Sequence, residues 1–264
     1  MKRLLITGAA GQLGRMARAR LAHLADMIRL SDIAPMDPAG PHEEVVPCDL
    51  ADARAVMALV EGCGGIVHLG GVSVERSFEQ ILPANIIGVH NLYEAARAHG
   101  MPRILMASSN HAIGFHRQDR TLDAAAAMRP DGWYGISKCF AENVASMYHD
   151  KFGQQSALVR IGSCLPAPAE RRHLSTWLSH DDFVSLTERV FKAPRLGCPV
   201  IYGASANDAS WWDNGAAAYL GWRPKDNAAA WRDALEAAVP DPDPAAPEAV
   251  YQGGVFTANP IFKD

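Results

Sequence analysis

Three features of the sequence predict an α/β fold: a doubly wound parallel sheet with a small C-terminal cap over its ligand edge. Short apolar runs alternate with helical patterns through the first three-fifths of the chain. A glycine-rich turn joins the first of those runs to the first helix. After about residue 163 the alternation gives way to irregular, polar and aromatic-rich stretches. Strands alternating with helices need right-handed crossovers, and such crossovers make a parallel sheet covered on both faces.

The predicted strands are "RLLIT" (3–7), "MIRLSD" (27–32), "EVVPCD" (44–49), "GIVHLG" (65–70), "RILMAS" (103–108), "SALVRI" (156–161) and "PVIYGA" (199–204). Helices are expected over Gln12 to Leu24, Asp52 to Glu61, about Asn85 to His99, and Tyr134 to Phe152. Two more are expected in the last hundred residues, Asp181 to Lys192 and Asn227 to Val239. The proline-rich "PDPDPAAP" that follows reads as a structureless connector to a C-terminal tail. A single domain over 1–264 is expected: a nucleotide-binding core over about 1–162, and a mixed cap and tail from about 163, with one core strand returning near 199–204.

With 264 residues and 48% hydrophobic residues, the chain can bury a full core. A formal net charge of −4 and the absence of a long basic run argue against nucleic acid or an anionic membrane as partner. An anionic small molecule would need a local cation. Five scattered cysteines, Cys48, Cys63, Cys139, Cys164 and Cys198, form no Cys-x-x-Cys pair and read as reduced thiols. No segment approaches the ~18 apolar residues of a membrane span, so a cytoplasmic location is expected. No metal site is expected.

"LLITGAAGQLGR" places Gly8, Gly11 and Gly14 between a strand and a helix, with Gln12 and Leu13 opening that helix. Glycine there lets the backbone approach a pyrophosphate held by helix N-terminal amides. The spacing is not Gly-x-Gly-x-x-Gly, so its context carries the reading. The second strand ends in Asp32, positioned to accept hydrogen bonds from an adenine ribose and to repel a 2′-phosphate, and no arginine adjoins it. NAD is therefore expected rather than NADP, in a Rossmann-type core. Asp49 in "CDLAD" is either a helix cap, a task open equally to Asp52, or a partner for the adenine amino group.

"WYGISKCF" sets Tyr134 and Lys138 one helical turn apart. That spacing alone decides nothing. It gains weight from the strand ending in Ser108 and Ser109 about two dozen residues upstream, which brings Ser109 and Tyr134 to one sheet edge. A tyrosine pKa of about 10 must fall by roughly 3 units, or about 4 kcal/mol, to serve near neutrality. A cation at about 4 Å in an effective dielectric near 20 supplies roughly that much, and less if it sits farther away. A positively charged oxidised nicotinamide would add to it, so Lys138 plus the cofactor could make Tyr134 a base near neutral pH.

Taken together, Gly8-x-x-Gly11-x-x-Gly14, Asp32, Asp49, "HLGG", Asn85, Ser-Ser and Tyr134-x-x-x-Lys138 resemble the extended short-chain dehydrogenase/reductase superfamily over about the first 165 residues. The resemblance implies Tyr134 as acid/base, Lys138 on the nicotinamide ribose and Ser109 on the reacting oxygen. It also implies a cofactor lining of Leu50, Leu69, Gly70, Gly71, Ser73 and Cys164, with Asn85 supporting the central helix. "HLGGVSVE", "SSNHAIG", "RIGSCLP", "LSTWLSHDDF" and "NPIFKD" narrow the likeness to the bacterial uronate dehydrogenase family. That resemblance implies NAD-dependent oxidation of D-glucuronate and D-galacturonate at C1 to aldarolactones. It places Ser73, Ser109, Asn110, His111, Tyr134, Ser163 and Arg172 on the sugar acid, and implies a homo-oligomer.

A planar guanidinium suits a carboxylate, but the residues alone do not separate Arg172 from Arg171; the resemblance favours Arg172. His111 is read as a hydrogen-bonding residue without a proton-transfer role, and Ser73 and Ser163 would in isolation pass for turn formers. Two rival functions share these features: a nucleotide-sugar epimerase or dehydratase, and a non-catalytic NAD sensor.

Overall fold

The computed structural model describes residues 1–240 and 242–263. In chain order come β1 (Arg3–Thr7), α1 (Gln12–Arg20), β2 (Met27–Ser31), β3 (Glu43–Val45), α2 (Ala53–Val60) and β4 (Gly65–His68). Next are α3 (Phe78–Ile81), a π-helical turn (Leu82–Ile87), α4 (Gly88–Ala98), β5 (Arg103–Ser109), α5 (Trp133–Phe152) and β6 (Ser156–Ile161). The seven-stranded sheet is completed by β9 (Val200–Gly203) and runs β3-β2-β1-β4-β5-β6-β9, with every pairing parallel. The strand order reverses between β1 and β4, which opens the crevice where such sheets bind ligands.

Alternation along β1 builds the two layers. Leu4 and Ile6 pack with Ala17, Leu186 and Val190 on one face, whereas Leu5 packs with Val56, Leu92 and Ala145 on the other. In register, Thr7 lies beside Ser31 and His68, and Ser109 beside Ile161, so the C-terminal strand ends share one edge.

After β6 the cap begins with β7 (Ser163–Cys164), α6 (His173–Thr176), β8 (Trp177–Leu178) and α7 (His180–Lys192). β7 and β8 form a separate two-stranded sheet. Beyond β9, α8 (Arg232–Ala238) buries Leu235 with Leu174, Trp177 and Ala228.

Four sequence expectations need correction. The third strand stops at Val45 instead of running to Asp49, because Pro47 has no amide hydrogen to continue the ladder. The central helix starts at Phe78, well before Asn85, and carries the π turn where Pro83 lacks a donor. The first helix ends at Arg20, with Ala22–Leu24 as a separate 3₁₀ turn. The predicted connector is not wholly structureless: Pro247 opens a short helix, α9 (Pro247–Val250), while Asp241 lies outside the described residues. The tail then returns to the sheet edge through a 3₁₀ turn over Gly254–Ala258; Asp264, the end of "NPIFKD", is also outside the described residues.

Candidate active site

A cleft of about 670 Å³ opens along the strand ends between Gly8 and Tyr134. Gly8 turns the chain with φ +69, and a Cβ there would sit 2.6 Å from the Leu69 carbonyl carbon. A Cβ on Gly14 would collide with Gly8 O, so α1 can approach β1 only as glycine. Gly11 gives α1 no side-chain cap, and its first turn holds no acidic residue. The helix amides are therefore free to meet a phosphate.

Asp32 is tied to this loop: Ala10 N donates to one carboxylate oxygen at 3.0 Å and Ala34 N to the other at 3.0 Å. Asp49 and Leu50 face the cleft from the end of the β3 segment. Capping of α2 falls to Asp52, which accepts from Arg54 N at 2.9 Å and Ala55 N at 3.0 Å, so Asp49 does not have to do it. Gln12, Leu13, Leu69, Gly70, Gly71, Ser73 and Cys164 all line the cleft. Asn85 stands behind it, buried, accepting from Val72 N at 2.8 Å and donating to Ser137 Oγ at 3.0 Å. It braces the Gly71–Ser73 loop against α5.

His68 is wholly enclosed beneath this loop. Thr7 Oγ accepts from Gly70 N at 3.1 Å and lies 2.8 Å from His68 Nδ1, to which it can donate, leaving the ring proton on Nε2. Burial first, then the charge of Lys138, pushes the imidazole down to about 3. A folded-state value below the ordinary 6.5 means that the stabilisation is full above the ordinary value and is lost as pH falls through the folded one. In urea titrations, stability should therefore fall below the ordinary histidine range, by up to about 1.4 kcal/mol per pH unit from this residue. His68→Gln should flatten that part of the profile; an unchanged acid slope would assign it elsewhere.

At the far end of the cleft, α5 presents Tyr134 and Lys138. Gly132 offers the helix no cap, and the carboxylate of Glu75 takes its place from the loop after β4, accepting from Trp133 N at 2.8 Å and Tyr134 N at 2.9 Å. A Cβ on Gly132 would run into that carboxylate. Glu75, buried and unassigned from the sequence, thus fixes the helix end that carries Tyr134.

Ser109 Oγ accepts from His111 N at 3.2 Å and lines the cleft beside Tyr134, whose pKa it lowers. Lys138 Nζ donates to Ala107 O at 2.8 Å and sits 5.4 Å from the Tyr134 ring centroid. Beneath them Glu142 and Arg160 form a fully buried ion pair at 2.8 Å, and Ser108 donates to the same carboxylate. The chain's own groups do not by themselves bring the phenol toward neutrality. Burial pushes Tyr134 up to about 12 against Ser109, and draws Lys138 down to about 8 against the charge of Glu142. Lys138, 5.4 Å from the ring centroid, does not offset the desolvation of the phenolate.

The two arginines separate cleanly. Arg171 turns away to the end of α8, donating to Val239 O at 2.5 Å and Glu236 O at 2.8 Å. Arg172 turns inward, where its Nη2 and Nε donate to Gln252 O at 2.5 and 3.2 Å. With the Asn110 amide oriented to satisfy both its ends, Asn110 donates to Ile161 O at 3.1 Å and accepts from Arg172 Nη2 at 2.7 Å. Ser163 Oγ lies 3.0 Å from Thr176 Oγ1 on the same side.

Among the described residues no carboxylate comes within ion-pair distance of Arg172. Burial lowers it to about 10, against the opposing pull of Glu170 and Asp131. The tail supplies two residues that sequence reasoning missed. Gln252, wholly buried, presents the carbonyl that holds Arg172, and Phe256 stacks on His111 with centroids 3.8 Å apart. The only local hint was the Gly253-Gly254 pair, which lets the backbone pass this close; a Cβ on Gly254 would lie 2.8 Å from Arg172 Cδ.

The chain belongs to the NAD dependent epimerase/dehydratase family, whose model matches residues 4–178. Fold, cleft and family together define an NAD-dependent oxidoreductase of the extended short-chain dehydrogenase/reductase class. Within that class, its likeness to uronate dehydrogenases extends over the full length. It is 65% identical over 263 residues to uronate dehydrogenase of Agrobacterium fabrum, covering 100% of this chain and 99% of the relative. The Pseudomonas putida uronate dehydrogenase is 56% identical over 257 residues, with 96% and 95% covered. A crystal structure of uronate dehydrogenase from Agrobacterium tumefaciens, a tyrosine-to-alanine mutant complexed with NAD, superposes with a TM-score of 0.99 at 64% identity, covering 100% of both chains.

The uncapped α1 terminus and the carboxylate at the end of β2 fit NAD: the first would hold the pyrophosphate and Asp32 the adenine ribose. Asp32→Ala should therefore raise the KM for NAD roughly tenfold or more, the worth of a charge-assisted hydrogen bond, and narrow the preference over NADP. Equal cofactor preference before and after the substitution would remove Asp32 from that role.

Proposed function

We propose that the protein oxidises hexuronic acids, D-glucuronate and D-galacturonate, at C1 to aldarolactones, with Tyr134 as the base. The observation that carries this reading is Arg172, a half-buried guanidinium with no carboxylate partner among the described residues, hydrogen-bonded to Asn110, which follows Ser109 at the strand-end edge. A charge drawn partly out of water without a counterion is costly. A sugar acid offers the missing anion and, at the other end of its ring, a hydroxyl for the phenol. The uronate dehydrogenases to which the chain is similar support the same substrate class.

In this reading the carboxylate rests on Arg172, and Asn110 and Ser163 complete that end of the subsite. Ser73 borders the sugar from the β4 side, and the C1 hydroxyl sits between Ser109 and Tyr134. Tyr134 Oη takes the hydroxyl proton as the C1–H bond breaks and C1 becomes a lactone carbonyl. When bound, NAD supplies the acceptor for the hydride and a positive ring near the phenol. Lys138, anchored to Ala107 O, holds the ribose side of the cofactor site and its positive charge favours the phenolate.

D-Glucuronate labelled with deuterium at C1 tests the reaction centre. The label should appear in the reduced cofactor and turnover should slow. Unlabelled reduced cofactor would move the oxidation to another carbon.

A further inference from the structure

We propose that Asp131 is a positioning residue for substrate recognition, holding His111 as the tautomer with its proton on Nδ1 so that Nε2 accepts a hydrogen bond from a hydroxyl of the bound sugar. The sugar acid as ligand rests on the proposed function; the tautomer does not.

Asp131 is not an ordinary loop aspartate. Its carboxylate is fully buried, with one oxygen 2.7 Å from His111 Nδ1 and the other without a hydrogen-bond partner among the described residues. Three segments make room for it by having no side chain. A Cβ on Gly114 or on Gly253 would collide with Oδ2, and one on Gly135 would lie 3.1 Å from Oδ1. Packing alone gives no reason for a charge in this cage, since a buried carboxylate with a missing partner destabilises the fold.

The cage orients one ring. A carboxylate only accepts, so Nδ1 of His111 must donate, and in a neutral imidazole Nε2 is then the acceptor. Phe256 covers one face of the ring at 3.8 Å and 18°, and Tyr134 stands edge-on at 5.7 Å and 63°, so the ring has little freedom to turn. His111 also lines the cleft. The site already holds two cations, Arg172 and Lys138, both donors. An aromatic acceptor beside Tyr134 complements those donors and favours a ligand with a hydroxyl there.

The test is a long-range proton–nitrogen NMR spectrum of the NAD-loaded protein, labelled with ¹⁵N at histidine and recorded near neutral pH, with His111→Gln identifying the signals. We expect His111 to show a protonated Nδ1 and an unprotonated Nε2, and Asp131→Asn to give a mixture of tautomers. Kinetically, Asp131→Asn should raise the uronate KM roughly tenfold, the worth of one oriented hydrogen bond, with a smaller change in kcat. In a His111→Gln background the same substitution should add nothing. A protonated Nε2 in the unmutated protein, or effects that simply multiply in the double variant, would overturn the proposal. The spectrum needs no uronate turnover and no aspartate variant. A failed substrate assignment or a misfolded variant therefore leaves the tautomer decidable.

Discussion

Replacing Tyr134 with phenylalanine should lower kcat by roughly 10² to 10⁴, the usual contribution of a positioned general base, while NAD still binds. The hydroxyl is the only group lost, and the backbone bonds that fix this helix end, from Trp133 N and Tyr134 N to Glu75, are untouched, so the fold has little reason to respond. The pH dependence gives the prediction a sign. Oxidation requires the phenolate, so the wild-type rate rises with pH, and burial, the largest influence on the phenol, keeps that titration high, toward about 12 from the chain's own groups. A bound cofactor's positive ring works in the opposite direction. In the phenylalanine variant the rising limb should vanish, leaving a low, flat profile. Near-normal turnover with cofactor bound would remove Tyr134 from proton transfer.

Arg172→Ala should act on binding. Loss of a charge-assisted pair contributes roughly 1.5 to 3 kcal/mol, so the uronate KM should rise about ten- to a hundredfold, with a smaller effect on kcat. Arg171→Ala is the control: that side chain holds carbonyls at the end of α8, and its loss should leave the uronate KM unchanged. An unaltered KM in the Arg172 variant would place the carboxylate on another group.

What was legible in the sequence was what lies close together in it. The glycine turn, the acid at the end of β2, Ser109 at the end of β5 and the Tyr134–Lys138 turn are each written within a few residues, and the parallel sheet then gathers the strand ends. The remainder of the site is built across long separations that leave no local pattern. Glu75 reaches helix amides 58 and 59 residues away, and the Gln252 carbonyl meets Arg172 across 80. Choosing between Arg171 and Arg172 likewise depended on which way α6 enters the cap. Lys138 alone does not bring the phenol near neutrality; in the sequence reading it acts together with the cofactor's positive ring. Pairing a phenol with an ammonium ignores what burial costs both, and here the desolvation outweighs their interaction.

The most direct test of the account is to mix the protein with NAD and D-glucuronate, D-galacturonate or the matching neutral hexose, and to follow the appearance of NADH. The account predicts steady NADH formation with both uronates and little or none with the neutral sugars, which have no anion for Arg172. Absence of NADH with either uronate, or equal rates with acid and neutral sugars, would contradict it.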